Sequence, residues 1–260
     1  MRSVVILLLA VAVVSIVVAQ TNQPAARTSD EARFSPHDLS GTWLGPDPQL
    51  PGPRLQEVFG PEVPPMTAWG KARYDAAKPG FGPRANLHGN DPTLHCDPIG
   101  MPRLMTFITP MEILQTPRHI VMLFEAGHEW RQIWIDGRKL PSDPEPTWNG
   151  YSVGRWEGDT LVVDTVGFND QSWVDQYGNP HSDAMHLTER YRRTSRNKLE
   201  LTMTIDDSKA YTRPWVSLTR PLTLKPNLEI EDEPCVPEEM DSFTSAVREP
   251  AAAKSDKSGK

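Results

Sequence analysis

From Phe107 onward the chain is a succession of short strand-like runs, several of them joined by connections that are short and polar. Phe107 to Leu114, His119 to Phe124, Glu129 to Ile135, Tyr151 to Trp156, Thr160 to Val166, His186 to Arg193, Lys198 to Ile205, Trp215 to Leu224 and Leu228 to Glu231 all read as strands. Several of the links carry turn chemistry, namely Ala126-Gly127-His128, Glu157-Gly158-Asp159 and Ser195-Arg196-Asn197. Consecutive hairpins imply an antiparallel meander, whose two open edges invite aggregation unless the sheet closes. The expected fold is therefore mainly β, an antiparallel up-and-down barrel of roughly eight to ten strands with room for one small ligand. A two-sheet β-sandwich is the structural alternative, because pattern alone does not report closure.

The segments ahead of the meander are different. Asp38 to Leu44 reads as a first strand built around Trp43, and Met66 to Ala77 as one short helix with Thr67 as its N-cap. Between them, Gly45 to Pro65 is too rich in proline for helix or central strand and is expected to wrap over a surface. Arg2, the apolar run Val4 to Val14 and the small residues Val17 and Ala19 have the layout of a signal peptide spanning residues 1–19. Polar residues 20–37 read as a disordered lead-in, 38–240 as a single barrel domain and 241–260 as a disordered tail. A periplasmic or secreted protein follows, with no stable membrane insertion once the signal is removed.

A net charge of -7 with no basic run speaks against nucleic acid or an anionic membrane as partner. A small-molecule ligand or substrate fits better, and the oligomeric state is left open. The two cysteines, Cys96 and Cys235, are expected to form one disulfide in an oxidising compartment, a clasp between the start and end of the core.

Residue types that cores avoid concentrate between Glu125 and Trp215. Leu199 to Ile205 alternates cleanly, whereas His186 to Arg193 carries ionisable groups on both faces. In a closed sheet one of those faces points inward, so either a polar cavity or a buried ion-pair network follows. His181 and His186 bracket the start of that strand, and histidine is the side chain best suited to proton transfer near neutral pH. Glu189 and Asp136 are candidates to orient or share the proton. Arg138, Arg190 and Asn149 are candidates to bind polar substrate groups, Trp148 to stack on a ring, and Asn169 and Trp173 to line a loop at the barrel mouth. His181, His186 and a carboxylate also have the residue types of an open metal site, but their spacing matches no established motif. No cofactor is expected, with a divalent metal as the lesser alternative. The sequence carries no phosphate-cradling glycine loop and no nucleophile elbow, which disfavours nucleotide cofactors and the familiar serine hydrolase plan.

Trp148-Asn149-Gly150-Tyr151-Ser152-Val153-Gly154-Arg155-Trp156-Glu157-Gly158-Asp159-Thr160-Leu161-Val162-Val163-Asp164-Thr165 resembles the hallmark of a family of uncharacterised exported bacterial proteins. Cys96 to Arg103, Glu112 to Pro117, Ile135 to Arg138, Pro180 to Asp183 and Glu189 to Tyr191 extend that resemblance over most of the chain from Trp69 to Cys235. It implies membership and no particular activity. Gly41-Thr42-Trp43 also resembles the Gly-x-Trp first strand of lipocalin-like, or calycin, barrels, a likeness of fold alone. The functional expectation is an exported barrel enzyme performing cofactor-independent acid/base chemistry, as hydrolase, lyase or isomerase, on a small organic or sugar-like substrate. The alternatives are a non-catalytic carrier of a small apolar ligand and an envelope interaction module.

Overall fold

Alternation of buried and open positions runs through His119–Phe124, His186–Ser195 and Lys198–Asp206, and it turns one face of each strand toward a common interior. The structure, a computed structural model, describes residues 34–45, 59, 62–86, 88–232 and 235. The expected signal peptide, most of the lead-in and of the first proline-rich stretch, and the tail lie outside the described residues. The described part begins a single unit at Phe34.

Strands β1 (Gly41–Leu44), β2 (Met111–Gln115), β3 (His119–Phe124), β4 (Trp130–Trp134), β5 (Tyr151–Glu157), β6 (Thr160–Val166), β7 (His186–Ser195) and β8 (Lys198–Asp206) follow one another around the sheet. Strand β10 (Arg220–Leu224) pairs with both β8 and β1, which closes a barrel of nine strands. The sandwich alternative is therefore set aside, and the calycin-like closure expected from the edge argument is present.

Two details depart from a pure meander. β4 and β5 are parallel, with Ile133 opposite Ser152 and Trp134 opposite Val153. The link between them carries Pro141, Pro144 and Pro146 and brings the chain back to the end where β4 began. The expected strand Trp215 to Leu224 is split into β9 (Trp215–Val216) and β10, both on β8. At the break the Ser217 hydroxyl accepts from the Met203 amide at 2.8 Å while the Ser217 amide donates to the Met203 carbonyl at 2.8 Å, a side chain standing in for a ladder acceptor. Leu228 to Glu231, expected as strand, is irregular.

Helix α1 (Ala68–Ala76) starts where the sequence places it, with the Thr67 hydroxyl accepting from the Gly70 amide at 3.1 Å. Gly70 is obligatory here, since a Cβ would sit 2.2 Å from the Ala210 carbonyl oxygen. That contact fixes the helix beside the connection between β8 and β9.

The barrel interior is filled by side chains. Ile120, Met122, Ile133, Leu161, Leu201 and Met203 are each 1% exposed or less, and Trp43 seals one end with its indole N–H on the Leu39 carbonyl at 2.8 Å. Among these apolar groups sits one buried ionic cluster. Arg131, 2% exposed, donates to both oxygens of Glu189, which is fully buried, at 2.9 and 2.5 Å. The same guanidinium donates to the Ser152 hydroxyl at 3.0 Å and the Thr165 hydroxyl at 2.9 Å, and the Tyr191 hydroxyl donates to Glu189 at 2.7 Å. The inward charge that the sequence demanded of β7 is thus a satisfied network rather than a polar cavity.

Candidate functional site

The connection from β6 to β7 assembles the site. Phe168, fully buried, anchors its start, and the Asn169 amide donates to the Thr147 carbonyl at 2.9 Å. The chain then folds on itself, Trp173 pairing with Pro180 and the Val174 amide donating to the Asn179 carbonyl at 2.8 Å. Asp175 holds this small hairpin from within. It accepts from the Tyr177 amide at 2.9 Å and from the Asn179 side chain at 2.7 Å. Burial nonetheless pushes its carboxyl above the ordinary value, the hydrogen bonds offsetting only part of the desolvation.

His181 follows the hairpin and is held on both sides. The Tyr211 hydroxyl donates to the Pro180 carbonyl at 2.7 Å, while Asp207 accepts from the Ser182 amide at 2.6 Å and hydroxyl at 2.8 Å. The imidazole, 1% exposed, lies with Nε2 2.8 Å from the Ser172 hydroxyl and Nδ1 3.3 Å from the Ser182 carbonyl oxygen. Burial keeps it below its ordinary value of 6.5, against weaker opposition from the Ser182 carbonyl, Asp207 and Asp170, so the ring is neutral at neutral pH. A carbonyl only accepts, which places the proton on Nδ1 and leaves Nε2 to accept from Ser172. Nucleophile-type oxygen, base and orienting group stand in the order that activation of a hydroxyl requires.

Over this pair opens a cavity of about 350 Å³, lined by Ser172, His181, Arg73, Asn90, Asp170, Gln171 and Trp173 among others. That is the lower end of the range for small-molecule sites. Arg73, from α1, donates to Asp170 at 2.8 Å and lies 5.1 Å from the Trp69 ring centroid, tying the helix to the loop. Trp173 is backed by Arg103, whose guanidinium stands 5.6 Å from the ring centroid and makes a buried two-pronged contact with Asp91 at 2.7 and 2.6 Å. Burial raises the Asp91 carboxyl, but Arg103 and Thr93 outweigh that and leave it below the ordinary value. The Cys96–Cys235 disulfide, formed as expected, follows directly on the short 3-10 turn Pro92–His95 that Asp91 caps.

The residues singled out in the sequence are dispersed. His181 and Trp173 line the cavity, with Asn169 one residue before Asp170. His186 lies on the outer face of β7 with Nε2 3.0 Å from Asp164, whereas Glu189 faces inward, so the carboxylate expected to orient it belongs to Arg131 instead. Asp136 and Arg138 form a two-pronged surface pair at 2.8 Å, with Arg138 also on the Tyr151 hydroxyl at 3.0 Å and over the Trp134 ring. That hydrogen bond holds the Asp136 carboxyl down at about 2. Arg190 reaches Glu157 at 3.2 Å on the surface, and Trp148 and Asn149 line a second cleft. Ser172 was not legible as a site residue, since its relation to His181 across nine positions exists only once the hairpin folds.

Compared with known proteins, the chain matches no family model, no curated protein and no solved structure. Among the described residues no helix is long and apolar enough to cross a membrane, and no group of three or more His, Cys, Asp or Glu side chains is arranged to hold a metal ion.

Proposed function

We propose that the protein is an exported hydrolase acting on a small polar ester or related acyl compound in the cavity at the barrel mouth. The Ser172–His181 pair carries this reading. His181 Nε2 takes the hydroxyl proton as the Ser172 oxygen bonds to the substrate's carbonyl carbon, and returns it to the leaving oxygen as that bond breaks. Water, deprotonated by the same nitrogen, then attacks the acyl carbon, and the proton passes to the Ser172 oxygen as its bond to that carbon breaks. The Ser182 carbonyl replaces the usual carboxylate in orienting the ring, while Asp207 and Asp170 favour the imidazolium that forms. The Gln171 side chain lines the cavity and supplies an amide donor for the oxygen that gains charge, while the Asn90 amide is committed to the Ala76 carbonyl at 3.0 Å. The polar lining of Arg73, Asp170, Asn90 and Gln171 favours a polar substrate, and Trp173 offers a surface for its carbon skeleton.

Export rests on the signal-like residues 1–19 and is supported by the Cys96–Cys235 bond, of a kind that persists in oxidising compartments. An apolar ligand carried in the lumen is disfavoured, because buried side chains such as Ile120, Met122, Leu201 and Met203 fill the barrel interior.

The test is a fluorophosphonate probe with peptide mapping, beside turnover of a panel of p-nitrophenyl and small polar esters. Modification should fall on Ser172 in the parent and vanish in Ser172→Ala and His181→Gln, both folded by circular dichroism. Ester turnover should fall by about 100-fold or more in either variant. Turnover that persists in Ser172→Ala yet is lost in His181→Gln would leave His181 a base acting directly on substrate and sink the acyl-serine step. Modification and turnover indifferent to both changes would sink the site.

A further inference from the structure

The second cleft encloses about 610 Å³ and shares no residue with the Ser172–His181 cavity. One wall is the outer face of β4, where Trp130, Gln132 and Trp134 occupy alternate positions. At about 3.3 Å of rise per residue, neighbours along this stripe stand about 6.6 Å apart. Trp130 is 62% exposed, uncommon for so large an apolar group. Trp134 is fixed by the Arg138 guanidinium 3.5 Å from its ring centroid, itself pinned by Asp136. Trp148, Asn149, Glu129, His128 and Tyr151 are among the other residues that line the cleft. Asn149 donates to the Glu129 carboxylate at 3.1 Å, and its own carbonyl oxygen is buried without a partner.

We infer that this cleft binds a neutral saccharide, two or three rings of a chain laid along the β4 stripe. A sugar ring presents C–H faces that cover indole and hydroxyl edges that seek planar polar groups, and the cleft has both. Trp130, Trp134 and Trp148 supply the apolar platforms, and the Gln132 amide and the half-buried Glu129 carboxylate supply edge partners. An acidic ligand would need a free cation, whereas the Arg131 guanidinium is held by Glu189 inside the barrel, the neighbouring Arg138 by Asp136, and His128, which also lines the cleft, faces Asp232 at 3.2 Å. A lipid chain or apolar peptide would cover the Gln132 amide, which stands between Trp130 and Trp134 on the stripe, without bonding it. The inference stands apart from the hydrolase reading.

The full-length mature protein is run through native gels containing xylan, mannan, a soluble β-glucan or starch, and the binding is then titrated calorimetrically with oligomers of whichever polysaccharide retards it. Retardation is expected with at least one. Trp130→Ala and Trp148→Ala should each weaken binding roughly tenfold, and Gln132→Ala several-fold. Ser172→Ala and His181→Gln should bind as the parent does, so failure of one site is distinguishable from failure of the other. The saccharide assignment is overturned if none of the four polysaccharides retards the protein, or if retardation survives the Trp130→Ala/Trp148→Ala double variant. It is overturned equally if sedimentation shows concentration-dependent self-association that Trp130→Ala abolishes, since a second copy would then be the occupant.

Discussion

Replacing Glu189 with leucine leaves the Arg131 guanidinium, 2% exposed, inside the barrel with no countercharge. Removing one partner of a buried pair costs about 3 to 5 kcal/mol, most of it the desolvation of the charge left behind. For a domain of this size each kcal/mol moves the midpoint by about 2 to 4 °C, so Glu189→Leu should melt roughly 6 to 20 °C below the parent. The loss should be recoverable. Ser152 and Thr165 keep each other as partners at 3.0 Å when the guanidinium is gone, leaving the Tyr191 hydroxyl as the one group stripped of its acceptor. The triple variant Arg131→Met/Glu189→Leu/Tyr191→Phe therefore removes the charges and the orphan together, and should regain most of the stability. Guanidinium unfolding of the oxidised proteins gives both differences. A Glu189→Leu variant within about 1 kcal/mol of the parent would refute the reasoning, because a buried charge is tolerated that cheaply only where water reaches it. It would also reopen the interior as a ligand space and revive the carrier reading.

Two further predictions follow. Burial holds His181 below 6.5 in the folded state, so below that pH the unfolded chain takes a proton the folded chain refuses. The stability this contributes is fully present above 6.5 and is lost as pH falls toward the folded value; the gap in melting temperature between parent and His181→Gln should narrow from about pH 7.5 to pH 5, and a gap constant with pH would contradict a buried neutral ring. The disulfide closes a loop of 139 residues, which in the chain-entropy model contributes about 5 kcal/mol, so reductant or Cys235→Ser should lower the guanidinium midpoint strongly, and an unchanged midpoint would mean the bond constrains nothing in the unfolded chain.

How far the sequence could be read depends on whether a feature is local. The alternation of Leu199 to Ile205 needs only its own residues, and those four apolar side chains are fully buried in the barrel. The N-cap of α1 lies within four residues, and it too forms as read. Glu189 is the opposite case. That it needs a partner is evident from its place on an inward face, but that the partner is Arg131, 58 residues away, depends on how the barrel closes. The parallel pairing of β4 and β5 escaped for a similar reason, since turn signals at both ends of the proline-rich link do not say which end of the sheet it reaches.

The same distinction sorts the polar residues by what they can do. Glu189, Asp136, Arg138 and Arg190 all have their charges answered, one in the barrel interior and three at the surface, and a group so satisfied is occupied with structure. His181 differs in the kind of partner it has. Its Nδ1 is committed to a carbonyl, its Nε2 faces a hydroxyl rather than a carboxylate, and both Ser172 and the ring border open space. A carboxylate at Nε2 would have fixed the ring as a cation and ended its use as a base. A serine there leaves the proton able to move, which is why the chemistry is sought at this pair and not among the more numerous charges around the barrel.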